Sequence, residues 1–274
     1  MPSSTTRAAL PDRLPALAIL DWGIGGTGLA AALVATHPRA AFVYVSDAGF
    51  TPYGKVPAHA LARRLRAIAA ALAERGVEHL VLACNAASTV ADAVRAAGTL
   101  TVTDVVTHGV ALVVSSPARR IGVVGGARTI RSGIFRRALV AAGRDVVQRV
   151  AQPLSARVEA GELSGAAVEA DVARIVAPLR TVDALLLACT HYPALAPVFR
   201  AQLPGVTLLD PVERLATALR DAGLRDGARV VLTTGDADAT RRSAARAFGW
   251  DPGSVRAVAP SVFDEAPQGF VVRR

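Results

Sequence analysis

The sequence is nearly without lysine and short of thiols and aromatic rings. Of 31 basic residues only Lys55 is a lysine, cysteine occurs twice, and Phe, Trp and Tyr together make up 4% of the 274 residues. No apolar run is long enough to span a bilayer, because Arg, Gly or Pro interrupts each one. The first fifteen residues lack the long apolar stretch of a secretory signal, so residues 1–16 read as a loose polar tail. These absences point to a soluble cytoplasmic protein with no membrane partner. In a reducing compartment a structural disulfide between Cys84 and Cys189 is disfavoured. The lack of lysine also qualifies the net charge of +9. Arginine with abundant Ala and Val is what a GC-rich coding genome produces. The arginines are scattered in pairs such as Arg63-Arg64, Arg119-Arg120 and Arg136-Arg137, without a basic block or basic–aromatic alternation. The charge is read as a solvated surface, and nucleic acid is not expected as a partner.

What is present is apolar surface in a regular order. Over half of the residues are hydrophobic (52%), enough for a sizeable core. Leu17–Leu20 is a short buried-strand run that enters a glycine-rich turn, Asp21-Trp22-Gly23-Ile24-Gly25-Gly26. A helix over 29–36, a strand over 41–46, a helix over 58–75 stopped by Gly76 and a strand over 77–83 follow, with Cys84 at the end of that strand. Strands alternating with helices imply a mostly parallel sheet flanked by helices, the α/β class. The pattern then restarts with Ile121-Gly122-Val123-Val124 and Gly125-Gly126. A later strand over 182–188 ends at Cys189.

The two cysteine segments match position by position. Val77-Glu78-His79-Leu80-Val81-Leu82-Ala83-Cys84-Asn85 aligns with Val182-Asp183-Ala184-Leu185-Leu186-Leu187-Ala188-Cys189-Thr190. This is an internal repeat. It predicts two pseudo-symmetric lobes, each placing its sole cysteine at the carboxyl end of a strand, where open α/β sheets bind ligands. With the lobes facing each other, both thiols reach one cleft. A free thiol has a pKa near 8.5, so thiol and thiolate are both accessible near neutrality. Two such groups suit moving a proton off one face of a carbon and onto the other, as inversion of an amino acid requires. Asp21, at the end of the first strand, is placed to influence Cys84. His191 lies two residues after Cys189, and a Cys–His neighbourhood tunes a thiol or relays a proton. Asn85, Ser88, Thr190 and loop amides can hold a carboxylate, and Gly23, Gly25 and Gly26 would let backbone approach an anion. The spacing of these glycines does not fit a dinucleotide fingerprint, and Cys189 with His191 makes a poor zinc set.

The chain resembles the aspartate/glutamate racemase family, and within it the glutamate racemases. Asp21–Gly26 is similar to the family's D-S-G-x-G-G, Pro52-Tyr53-Gly54 to its P-Y-G loop, and Ala83–Ser88 to its A-C-N-T-A-S. Gly122–Gly125 with Thr129 and Ser132-Gly133 resembles its third segment. Pro153, Val158, Glu159 and Gly161 fit its P-x-x-x-x-V-E-x-G stretch, and Cys189-Thr190-His191-Tyr192-Pro193 its most specific motif. Thr234-Gly235-Asp236 fits near the end. The resemblance implies two α/β lobes, residues 17–108 with 213–274 and residues 109–212, with the site between them. It implies Cys84 and Cys189 as the acid/base thiols, Asp21 and Glu159 as supporting acids and His191 as an aid to Cys189. Trp22, Pro52, Tyr53, Gly54, Asn85, Ala86 and Thr190 fall at substrate-contact positions. No cofactor and no metal are implied, the substrate is a small amino acid, a homodimer is expected, and the product would serve peptidoglycan. Three departures stand out: Trp22, Ala86 and Gly126 replace hydroxyl residues. They leave open a changed substrate, a one-thiol decarboxylase or isomerase, or a non-catalytic relative acting on a partner such as DNA gyrase.

Overall fold

The computed structural model describes residues 8–264, so residues 1–7 of the expected tail and residues 265–274 lie outside the described residues. Two all-parallel sheets organise the chain. The strands are β1 (Leu17–Asp21), β2 (Phe42–Ser46), β3 (His79–Leu82), β4 (Thr101–Asp104), β5 (Arg120–Gly125), β6 (Asp145–Val150), β7 (Ala184–Ala188), β8 (Thr207–Leu209), β9 (Arg229–Thr233) and β10 (Arg256–Ala257). The first sheet has the order β10-β9-β2-β1-β3-β4, the second β6-β5-β7-β8. No helix among the described residues is long and apolar enough to cross a membrane.

The strand sequences are continuous apolar runs because both faces are covered. Along β1, Leu17 and Ile19 enter one core cluster while Ala18 and Leu20 enter another. Along β7, Leu185 and Leu187 face one core, and Ala184, Leu186 and Ala188 the other. The helices supplying these layers are α1 (Thr27–Thr36), α2 (Ala58–Ala73), α3 (Asn85–Ser88), α4 (Ala91–Arg95), α5 (Val105–Ser115), α6 (Ala127–Ser132), α7 (Ile134–Ala141), α8 (Gln152–Glu159), α9 (Ala166–Val176), α10 (Ala196–Gln202), α11 (Pro211–Asp221) and α12 (Ala237–Phe248). Helix α2 ends just before Gly76, which takes a φ of +90° that only glycine adopts freely.

The chain leaves the first sheet at Asp104 into α5 and returns from the second at Asp210 into α11, and α5 packs on α11. Each aspartate caps its helix, Asp104 accepting from the Thr107 N–H (2.9 Å) and Asp210 from the Val212 N–H (3.0 Å). The loose tail expected through residue 16 is corrected from Ala8 onward. The Ala8 N–H donates to the Ala257 carbonyl (3.0 Å), and Leu10 and Leu14 are buried in the core under α2. Two isolated leucines among polar residues carry no periodicity, yet each still gains from leaving water.

Candidate active site

The two cysteines stand at equivalent points of the two sheets. In each lobe the chain runs from the first strand (β1 or β5) to a neighbour on one side (β2 or β6), then to the other side (β3 or β7). The order reverses between β1 and β3 and again between β5 and β7, and such switch points open crevices at the strand ends. Cys84 follows β3 by one residue, Ala83, and Cys189 directly follows β7. Both are free thiols and line one cavity of about 540 Å³, within the usual range for small-molecule sites.

Pairing of β1 with β3 brings Asp21 beside the Cys84 end, with Leu20 opposite Leu82 and the Ala83 N–H donating to the Leu20 carbonyl (3.0 Å). Asp21 is fully buried. It accepts from the Trp22 N–H (2.6 Å) and from the Thr190 hydroxyl (2.8 Å). Thr190 comes from the second lobe, so this carboxylate is held across the cleft. Burial, and then the charge of Asp21, push the Cys84 thiol well above its ordinary value, against the pull of the Ala87 and Trp22 N–H groups.

The Cys189 side is built from an imidazole. His191 Nδ1 lies 3.7 Å from Cys189 Sγ, and its Nε2 lies 2.6 Å from Glu159 Oε1. Burial pulls His191 down, but its bonds to Cys189 and Glu159 outweigh that and raise it well above the usual histidine value. Both ring nitrogens thus face partners, Cys189 and Glu159, that favour the protonated ring. Glu159 is pushed up by burial but held below the ordinary range by His191 and by the Ile24 N–H (3.0 Å). Ile24 belongs to the first lobe, so this side too is anchored across the cleft.

The glycines of the Asp21–Gly26 turn do not line the cavity as an anion cradle. A Cβ on Gly23 would meet Glu159 Oε1 at 1.9 Å, and one on Gly25 would meet Thr190 Oγ1 at 2.4 Å and His191 Nδ1 at 2.7 Å. Their service is to let the second lobe's polar side chains close on the first. Ser88 is also redirected: its hydroxyl donates to the carbonyls of Cys84 (2.8 Å) and Leu82 (3.3 Å). Asn85 lines the cavity while 3% exposed, and both polar atoms of its amide lack a partner among the described residues. An unpaired buried amide costs about 1–3 kcal/mol, which a bound ligand's groups can offset.

Trp22, Pro52, Tyr53, Gly54 and Ala86 also line the cavity. The Trp22 indole N–H donates to the Phe50 carbonyl (2.9 Å). Tyr53 is buried and donates its hydroxyl to Asp47 (2.9 Å), while its carbonyl accepts from Arg128. Asp47 is clamped by the buried Arg64 (2.8 Å), which props the loop from behind. Four polar lining residues, Lys55, Arg128, Gln152 and Ser155, are not among the site residues expected from the sequence. Gln152 accepts from the Ala127 N–H at the start of α6 (2.9 Å), and Arg128 looks locally like any other arginine. Among the described residues no group of three or more His, Cys, Asp or Glu could hold a metal ion.

This geometry can be set beside known proteins. A model of the Asp/Glu/hydantoin racemase family matches residues 28–219. The glutamate racemase of Mycobacterium tuberculosis is 34% identical over 265 residues, covering 90% of this chain and 97% of its own length. That of Aquifex aeolicus is 32% identical over 214 residues, covering 77% of this chain and 84% of its own. Among solved structures, glutamate racemase from Thermus thermophilus in complex with β-chloro-D-alanine superimposes with a TM-score of 0.80 at 29% identity, covering 92% of this chain and all of that one (100%). An isoform from Bacillus anthracis gives 0.80 at 27%, covering 89% and 97%. With a family model spanning most of its length and relatives aligned nearly end to end, the chain belongs to the Asp/Glu/hydantoin racemase family.

Proposed function

We propose that this chain is a cofactor-independent glutamate racemase, interconverting L- and D-glutamate and so supplying the D-isomer for peptidoglycan. One observation carries the reading: each lobe contributes one free thiol to a single cavity. In one direction one cysteine, as thiolate, takes the α-proton, leaving the electron pair on Cα. The opposite thiol then delivers its own proton to the other face and becomes the thiolate. The reverse direction exchanges the roles. Asp21 serves Cys84, and His191 with Glu159 serves Cys189. Asn85, Thr190 and Ala86 beside the cysteines, and the Pro52-Tyr53-Gly54 loop with Trp22, contact the substrate. Preset donors facing the developing negative charge lower the barrier more than any that must reorganise.

Purified protein without pyridoxal phosphate is expected to exchange the α-hydrogen of L- and D-glutamate in D2O, followed by proton NMR, and to bring either enantiomer to a racemate. No exchange at high enzyme concentration would sink this reading. The resemblance also supports a homodimer, to be checked by sedimentation equilibrium. Two free thiols, one of them partly exposed, suit a reducing cytoplasm.

A further inference from the structure

Three positions that carry hydroxyls in the family's motifs, residues 22, 86 and 126, carry none here, and all three line the cavity. A dicarboxylate substrate is left with the remaining polar groups of the wall, and its second carboxylate is best matched by a cation. The cavity wall holds two cations among the described residues: Lys55, which is exposed, and Arg128, which is half-buried and fixed by hydrogen bonds.

Arg128 is rooted in α6 of the second lobe, yet every partner it has belongs to the first. Its Nε donates to the Tyr53 carbonyl (2.9 Å), one terminal nitrogen to the Val56 carbonyl, and the other to the Thr89 hydroxyl (3.4 Å). A guanidinium has five N–H groups in a fixed fork. Three are used here, so two remain, on a planar cation that borders the cavity. Asn85 and Thr190 each directly follow a cysteine, within reach of groups on the reacting carbon. Arg128 comes from α6, on neither cysteine strand, and is held between the Tyr53 turn and Thr89, at the end of the short helix that follows Cys84.

Resting on the racemase reading, we propose that Arg128 is the specificity-determining residue of this site, its guanidinium pairing with the substrate's side-chain carboxylate in place of the missing hydroxyls. The bond to the loop carbonyls fixes the fork, so little side-chain freedom remains to be lost on binding. Lysine replaces it only in part: an ammonium carries the charge without the fork.

The test compares wild type with Arg128→Met and Arg128→Lys. Glutamate racemisation is followed by circular dichroism. Binding of glutarate and of its monoamide is measured by titration calorimetry, which needs no turnover. The Met variant is expected to raise KM for glutamate at least tenfold with kcat within about threefold. It should weaken glutarate at least tenfold while the monoamide changes little, and the Lys variant should recover part of both losses. A folded Met variant with unchanged glutamate KM and glutarate affinity overturns the proposal. So does equal weakening of glutarate and monoamide, or a fall in kcat alone, either of which would make Arg128 only a strut between the lobes. Should the Met variant not fold, Arg128→Gln keeps donors for the loop carbonyls without the charge and is read in the same way. Wild type that binds glutarate through Arg128 but fails to racemise glutamate would overturn the racemase reading and leave this one standing.

Discussion

The two halves of the site hold the same atom in the same place and surround it differently. Cys84 is buried beside a carboxylate, Asp21, whereas Cys189 is partly exposed beside an imidazole, His191, tied to Glu159. The repeat thus reproduces the position of each thiol but not its partner. A reaction that is symmetric overall is assigned to machinery that is chemically unequal, a carboxylate on one side and an imidazole paired with a carboxylate on the other. The anchoring is reciprocal. Asp21 is held by Thr190 of the second lobe, and Glu159 by the Ile24 N–H of the first. Neither half-site is complete until the lobes meet.

The strongest way to break the comparison is to remove one thiol at a time. Cys84→Ala and Cys189→Ala are each expected to lower racemisation about 10³-fold or more, in line with loss of an acid/base group. The sharper outcome lies in α-hydrogen exchange. The remaining thiol can still remove and return a proton on its own face, so each variant should wash deuterium into one enantiomer only, and the two variants into opposite ones. If both variants label the same enantiomer by NMR, the thiols do not serve opposite faces.

Next comes the inequality itself. His191→Asn is expected to cost about 10²-fold in kcat/KM. Because the equilibrium constant of a racemisation is one, kcat/KM must fall equally in both directions. The asymmetry must appear instead in the primary deuterium isotope effects, which should become unequal for L- and D-glutamate. Equal isotope effects would mean that His191 serves both thiols alike. The pH dependence follows from the signs. His191 is raised in the fold, so its proton stabilises the fold below the ordinary histidine value, and that contribution fades as pH climbs through the raised value. Glu159 is lowered, so its contribution is present above the ordinary carboxylate range and fades as pH falls through the lowered value. Thermal melts should show an alkaline decline in wild type that is shallower in His191→Asn.

Much of this was legible in the residues. The apolar runs and glycine stops locate the strands, because parallel strands buried on both faces must be apolar throughout. The matched cysteine segments put both thiols at strand ends. What could not be read was anything made by closing the lobes. The bond from Thr190 to Asp21 spans 169 residues, and that from Ile24 to Glu159 spans 135. For the same reason Gly23 and Gly25 looked like an anion cradle: a glycine shows that something comes close, not what it is. Arg128 was hidden because its neighbours in space, Tyr53 and Val56, lie far off in sequence.

The smallest effect is expected where the chain crosses between lobes, and it repeats the lesson of the cysteines. Thr101-Val102-Thr103-Asp104 and Thr207-Leu208-Leu209-Asp210 end in helix-capping aspartates at matching positions. Asp104 has a cation, Arg95. Asp210 has no ion-pair partner among the described residues, and burial, helped by the Glu213 charge, pushes its carboxyl up to about 6 despite the Val212 N–H. A carboxyl raised in the fold favours its neutral form, so its ionisation weakens the fold as pH rises through about 6. Asp210→Asn keeps a good helix cap and removes that charge. It should therefore stabilise the protein by about 1–2 kcal/mol above pH 6, a gain of a few degrees in Tm, and by nothing near pH 4. Asp104→Asn should instead lower Tm at neutral pH, because it strips Arg95 of its partner. If both variants shift Tm in the same direction at pH 7.5, the two crossovers are equivalent after all, and the inequality of the halves is confined to the thiols.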